Sequence, residues 1–374
     1  MTEQEQLRSF LAYYDGTRSR LQKAQKAYNR EIRRESNPLI RNFSRDLADM
    51  NEGGKLLRGM LIDLGYRMAG GADDHRCDDL AIAFEMFQTA VLIHDDIIDS
   101  AEMRRGKLTI HRRYEHRLDV RGISRAAGGD SPAAVARSAA LCTGDMGLYL
   151  ANKKLAEAYR EEPVLADLIL YFDRVIIDTI RGELLDVVLP YELMDEVYSE
   201  EERRKLLEKS VYDIYRLKTA CYSVVGPLHL GMMLAGAPEE QLKAADSFAA
   251  DIGIAYQIMD DILGIYADAD VLGKDVGSDI AEFKQTILWM YVRTRESGEA
   301  EKLLKYYGHK NVTEENLEKV RDIFRETGAL SYAQDTMHTC YRRAHRKLAR
   351  MKWLSEENRT LLKGFMIYLS GRRK

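Results

Sequence analysis

"LIHDDIIDSAEMRRG", residues 92–106, sets three aspartates inside an apolar run and follows them with two adjacent arginines. The segment that carries them, Leu80 to Asp99, is apolar on nearly every side, which predicts a helix buried at the centre of a bundle and not an amphipathic surface helix. On such a helix Asp95 and Asp99, four residues apart, share a face, with Asp96 flanking them at about 100°. Carboxylates crowded on one buried face repel and raise each other's pKa unless a multivalent cation neutralises them. Oxygen ligands suit a hard ion. Mg²⁺ in particular keeps several waters and binds through one or two carboxylates plus substrate phosphates. The aspartates therefore point to a phosphate ligand as well as a metal, and the guanidinium forks of Arg104 and Arg105 suit phosphate oxygens. The alternative is a helix that ends at the surface, its aspartates paired with the arginines as solvated ions.

A second run, "YQIMDDILGIYADADVLGKD" at 256–275, repeats the theme. It offers Asp260 and Asp261 with Gln257 one turn earlier, and Lys274 and Lys284 in the polar stretch behind. Acid on a buried helix with base close behind thus occurs twice. Nearer the N-terminus, "NEGGKLLRG" at 51–59 supplies Gly53, Gly54, Lys55 and Arg58. Lys55 and Arg58 would share a helical face, and the glycines would let backbone approach an anion. Without Walker spacing this stretch is equally a plain helix start; beside the acidic runs it reads as a second phosphate site.

The whole chain sets the frame. Its 374 residues are 45% hydrophobic and 31% charged, the balance of a soluble globular protein with length enough for a sizeable core. A formal net charge of -4 argues against a general nucleic-acid binder, so phosphate chemistry must be local. Cys77, Cys142, Cys221 and Cys340 are scattered, with no zinc-site spacing or disulfide framework, which predicts a reducing, cytoplasmic setting. The charged N-terminus has no signal-peptide core, and no stretch approaches the roughly 20 apolar residues of a membrane span.

Helical periodicity runs between six prolines, at 38, 132, 163, 190, 227 and 238, with few alternating strand patterns. The expectation is an all-α fold, one large helical bundle over 1–374, with an N-terminal helical segment at 1–39 and a loop or insertion at 117–138. Segments 151–189 and 243–264 predict further buried helices, and 192–209 a solvated charged helix or hairpin.

Taken together these residues resemble the trans-type isoprenyl diphosphate synthases, or polyprenyl synthetases, and most closely those that make geranylgeranyl diphosphate. DDxxD, four residues, then RRG is matched by Asp95, Asp96, Asp99, Arg104 and Arg105. GGK-x-x-R is matched by Gly53 to Lys55 and Arg58, K-T by Lys218 and Thr219, and the aromatic-Gln before the second acidic motif by Tyr256 and Gln257. The similarity runs in order from about residue 40 to the end. It implies a helical bundle with a central cavity, and a reaction in which an allylic diphosphate, held by three Mg²⁺ between the two acidic helices, loses diphosphate. The resulting cation is attacked by the alkene of isopentenyl diphosphate, and loss of a proton completes a chain five carbons longer.

The resemblance also implies roles. Asp95, Asp99 and Asp260 would hold metal, supported by Asp96 and Asp261, with Asp186 beside them. Arg104, Lys218, Lys274 and Lys284 would hold the allylic diphosphate, and Thr219 and Gln257 would lie near the cation. Lys55, Arg58, Gln88 and Arg105 would grip isopentenyl diphosphate, closed over by the basic terminus Arg372, Arg373 and Lys374. Two departures stand out: Gly264 replaces the third aspartate of the second motif, and Gln88 stands where many members have His. In this family bulky residues four and five positions before the first aspartate stop the growing tail. Here those are Val91 and Ala90, which predicts a product of twenty carbons or longer. Phe87 and Phe84 could floor a deeper cavity or simply pack as core. A homodimer is the family's usual state.

Competing readings are a farnesyl diphosphate synthase, a class I terpene cyclase, a non-catalytic subunit that regulates a partner, and an HD-type phosphohydrolase. The last is prompted by adjacent His94 and Asp95 and would need His75 as a further ligand.

Overall fold

The computed structural model describes residues 1–73, 75–123, 130–194, 197–267, 277–295, 298–308 and 312–371. The described chain is helical but for one two-residue-per-strand hairpin, as the periodicity predicts. It divides into two compact units. One comprises Ala12–Leu170 with Met233–Ala235, and the other Met1–Leu11, Tyr171–Met232 and Gly236–Lys374.

Within the first unit, helix α2 (Pro38–Asn51) begins where the Asn37 side chain accepts the Leu39 N–H at 2.9 Å, with Pro38 as the first helical residue. Helix α3 (Leu57–Met68) follows, then α4 (Asp78–Ile98), the helix of the first acidic motif. The hairpin pairs β1 (Met103–Arg104) with β2 (Lys107–Leu108), Arg104 opposite Lys107. Helix α5 (Ile110–Val120) leads to α6 (Pro132–Ala158). Helix α4 packs on α6, α3 and α2, and α5 also packs on α6. From Leu80 to Phe87 every residue of α4 is buried, and Phe84 and Phe87 meet edge to face at 5.3 Å. From Val91 the helix opens toward solvent, except at Ile93 and Asp96.

The α4–α6 seam depends on small residues. A side chain at Gly144 would collide with the His94 ring, and a Cβ at Gly147 would lie 3.0 Å from Ala90 Cβ.

In the second unit α7 (Leu165–Glu192, from Tyr171 onward) precedes α8 (Glu200–Ile214), which opens with a capping box between Ser199 and Glu202. The chain continues into a π-helical segment, Tyr215–Val225, then α9 (Gly226–Leu234) and α10 (Glu239–Tyr266), the helix of the second acidic motif. The π register ends where the Gly226 N–H bonds the Cys221 carbonyl and Pro227 has no N–H to extend the ladder. Helix α10 packs on the π segment and on the helix Ala329–Arg350. The first turns of the N-terminal helix α1 (Glu3–Ile32) belong here, with Phe10 5.6 Å from Phe365.

Three expectations need correction. The loop predicted at 117–138 is shorter, because α5 runs to Val120 and α6 starts at Pro132, where Ser131 caps the Ala134 N–H at 3.2 Å. The predicted buried helix 151–189 is two helices, interrupted between Ala158 and Leu165 around Pro163. Helix α7 is also not buried all round, since Ile177, Leu184 and Tyr191 are exposed.

Candidate active site

In the first unit Asp95 and Asp96 occupy the last turn of α4, and Asp99 is its C-cap. Acids at a helix C-terminus face the negative end of the backbone dipole as well as one another. A cation removes both penalties. The two neighbours differ: the Asp95 side chain is 14% exposed, the Asp96 side chain only 1%. Arg104 clasps both, donating from Nη2 to Asp95 at 2.8 Å and from Nε to Asp96 at 2.5 Å. Asp96 therefore orients Arg104 from inside, while Asp95 and Asp99 stay within reach of a ligand.

The hairpin explains how adjacent arginines diverge. Arg105 and Gly106, the two residues of its turn, have φ of 52° and 73°, the left-handed pair that a tight turn between twisted strands requires. The chain thus reverses over Arg105 and Gly106, with Arg104 still in the strand. Arg105 donates to the Met50 carbonyl at 3.4 Å, and its guanidinium lies against Gly54, where a Cβ would sit 3.4 Å from Nη1. Arg58 and Arg105 both act electrostatically on Glu85, so the structure gathers the Gly54, Arg58 and Arg105 region around one buried acid. The Lys55 carbonyl is held by the Tyr14 hydroxyl at 2.6 Å, and Gln88 is half-buried on α4. Ala90 is fully buried against Gly147, and Val91 is half-buried.

In the second unit Lys218 and Thr219 lie in the π segment. Helix α7 closes on it at Gly182, where a Cβ would strike the Lys218 backbone, and α10 at Gly253, where a Cβ would strike Ala220. Lys218 Nζ bonds Asp186 Oδ2 at 2.6 Å and Glu183 Oε2 at 2.9 Å, and Lys284 Nζ reaches the same Asp186 oxygen at 3.0 Å. Burial opposes ionisation of Asp186, but the two ammonium groups prevail and hold its carboxyl below the ordinary range. Thr219 Oγ1 donates to Gln257 Oε1 at 2.5 Å, and Gln257 Nε2 donates to Asp261 Oδ1 at 2.7 Å. Asp261 also accepts the Tyr215 hydroxyl, whose oxygen takes the Ile287 N–H at 2.7 Å. Asp261 is 3% exposed, whereas Asp260 is half-buried. Asp261 thus orders Gln257 and Thr219, and Asp260 is the residue open to a ligand.

Tyr215→Phe deprives Asp261 of a donor and leaves the Ile287 N–H only the distant Asp261 Oδ2, at 3.5 Å. The expected loss is about 1–3 kcal/mol of stability, read by denaturant unfolding, with a lower kcat as Gln257 loosens.

Sequence reasoning missed four residues here. Glu183 was signalled by its three-residue spacing from Asp186. Tyr215 carried no signal. Glu85 was the acid inside "AIAFEMFQ". Asp279 explains the departure at Gly264, since a Cβ there would lie 2.6 Å from Asp279 Oδ2; the space a third aspartate would need already holds a carboxylate. The predicted residues Lys274, Arg372, Arg373 and Lys374 lie outside the described residues. For the phosphohydrolase reading, His94 is engaged by α6, its Nε2 3.3 Å from the Leu141 carbonyl and from Asp145, while His75 pairs with Asp78 at the other end of α4.

Among the described residues no group of three or more His, Cys, Asp or Glu is gathered as a ready-made metal cage. The oxygen donors fit Mg²⁺ in its other habit, in which few carboxylates are supplemented by waters and substrate phosphates.

Comparison with known proteins agrees with this chemistry. Residues 39–324 match the polyprenyl synthetase family model, and the chain belongs to that family. A geranylgeranyl diphosphate synthase of Sulfolobus acidocaldarius is 29% identical over 361 residues, covering 93% of this chain and 98% of that one. A geranylfarnesyl diphosphate synthase of Aeropyrum pernix is 30% identical over 323 residues, 86% of this chain and 91% of that one. Among solved structures, a geranylgeranyl pyrophosphate synthase from Corynebacterium glutamicum, complexed with isoprenyl diphosphate and magnesium, is similar with a TM-score of 0.81 at 27% identity, over 96% of this chain and 98% of that one. The chain is a transferase of the isoprenyl diphosphate synthase type.

Proposed function

We propose that this chain joins an allylic diphosphate to isopentenyl diphosphate in the trans configuration and releases products of twenty carbons or more, geranylgeranyl diphosphate first among them. The observation that carries this reading is the division made by the hairpin: Arg104 serves the acidic end of α4, and Arg105 serves the Gly54 loop. A cyclase needs one diphosphate site and has no use for the second.

Asp95, Asp99 and Asp260 would hold Mg²⁺, three ions in all. Bound Mg²⁺ supplies the Lewis acidity that neutralises the departing diphosphate. Arg104, Lys218 and Lys284 hold that diphosphate as the allylic C–O bond breaks and the electron pair leaves with oxygen. Asp186 keeps the two lysines in place until a more negative ligand arrives. The Thr219 hydroxyl and Gln257 amide, fixed through Asp261, face the cation with their oxygen dipoles. Lys55, Arg58, Gln88 and Arg105 present isopentenyl diphosphate, whose alkene pair forms the new C–C bond before a proton is lost. We read the chain as one isoprenoid synthase domain over 1–374.

We also read the protein as a cytoplasmic homodimer. The exposed Leu141 and Tyr149 on α6 support a partnered face, and no described helix is long and apolar enough to cross a membrane.

Incubating purified protein with Mg²⁺, labelled isopentenyl diphosphate and each allylic primer, then sizing the products, tests the reading. Farnesyl diphosphate as the end product would overturn the predicted length. Ala90→Phe is expected to shorten the product. Unchanged length with a lower Tm would instead make Ala90 a seam residue against Gly147 and nothing more.

A further inference from the structure

Glu85 is 4% exposed in the middle of α4, one turn before Gln88. A carboxylate so deep in an apolar helix is costly unless it is hydrogen-bonded and compensated by charge. Here the compensation is partial: burial pushes the Glu85 carboxyl above its ordinary range, and two backbone N–H groups and two guanidinium groups oppose that shift. Oε1 accepts the Gly59 N–H at 2.8 Å, in the first turn of α3, and the Arg58 N–H adds to its stabilisation. These are N–H groups that a helix leaves without internal partners. The residue that would ordinarily cap them is Leu56, in the left-handed region at φ 52° and with no side-chain bond to give. Glu85 therefore caps α3 from a different helix. The fit is close: a Cβ at Gly59 would lie 3.0 Å from Leu21 Cδ1 and 3.4 Å from both Ala81 Cβ and Glu85 Oε1. The charges that partly offset the burial of Glu85 are Arg58 and Arg105, two of the groups assigned to the isopentenyl diphosphate grip.

We propose that Glu85 is a positioning residue for that grip: by capping α3 at Gly59 it fixes the helix start that carries Arg58, just after the Gly54 loop against which Arg105 lies, before substrate arrives. Pre-set cations bind a diphosphate without the cost of ordering two long side chains in each encounter. The inference rests on the assignment of Arg58 and Arg105 to isopentenyl diphosphate, and it gives Glu85 no contact with substrate.

The test compares Glu85→Gln with Glu85→Leu in the full chain. Both keep the side chain's bulk, but only glutamine retains an oxygen acceptor for the Gly59 N–H. Expected for Glu85→Leu is a rise of roughly tenfold or more in KM for isopentenyl diphosphate, with KM for the allylic primer within about twofold. Glu85→Gln should recover most of the loss, leaving that KM within about threefold of the parent. The idea is overturned if Glu85→Leu leaves KM for isopentenyl diphosphate unchanged while lowering only Tm, or if it moves both KM values together. Should Glu85→Leu fail to fold, Glu85→Ala supports the same comparison, and a Glu85→Gln variant with KM raised tenfold or more would by itself refute the capping account. A parent protein that does not consume isopentenyl diphosphate refutes the proposed function instead, a distinct result.

Discussion

Asp95→Ala is expected to lower kcat/KM by about 10²–10³-fold or more, the scale on which one pre-arranged electrostatic contact to developing charge is lost, while leaving Tm at or slightly above the parent value. The two halves of this expectation have separate causes. Catalysis falls because Asp95 is the partly exposed acid of its pair and would hold metal against the departing diphosphate. Stability is spared because the lost 2.8 Å bond from Arg104 is offset by relief of repulsion, Asp95 standing in the last turn of α4 against the helix dipole and beside Asp96. Arg104 keeps its 2.5 Å bond to Asp96. Asp96→Ala should behave differently, losing stability as well as activity, since it strips a buried partner from Arg104. Steady-state kinetics with Mg²⁺ and thermal unfolding of both variants separate the cases. An Asp95→Ala enzyme within tenfold of the parent would remove Asp95 from the metal site.

Gly253→Ala carries the largest expected loss of stability. Its new methyl would land on the Cα and Cβ of Ala220 in the π segment, and backbone cannot turn aside as a flexible side chain can. A cost at the upper end of overpacking, about 3 kcal/mol, follows. Because α10 and the π segment carry Gln257 and Thr219, their separation should also stretch the 2.5 Å bond between these residues and lower kcat. Gly16→Ala is the control. Gly16 sits in α1 with nothing within 4 Å of a new Cβ, so alanine should stabilise by about 0.5–1 kcal/mol. Guanidinium unfolding of both proteins is the measurement, and a Gly253→Ala midpoint equal to the parent's would mean the two helices can part without cost.

Much of the candidate site was legible because it is written in residue types that are expensive in apolar helices. Asp95, Asp99, Asp260, Lys55 and the arginine pair each stand out against their surroundings. Their division of labour was less legible. Asp95 and Asp96 are identical letters that share Arg104, and only burial separates the partly exposed acid from the enclosed one; Asp260 and Asp261 differ in the same way. The π segment was not legible in the sequence: the glycines that meet it, Gly182 and Gly253, stand in other helices, and a glycine's neighbour in space is not encoded beside it. The end of the loop predicted at 117–138 is a helix start instead, spelled by Ser131 and Pro132. Gly264 looked like a missing ligand until Asp279 was seen against it.

The two-residue turn at Arg105 and Gly106 has a consequence for any redesign of this chain. Its length acts as a switchyard: the chain reverses over Arg105 and Gly106, so that one guanidinium goes to the acids of α4 and the other to the Gly54 loop. One residue inserted between them would turn Arg105 onto the other face of the ribbon and leave the Gly54 loop without its cation, although every charged residue would still be present. In this segment spacing is as much a part of the catalyst as composition.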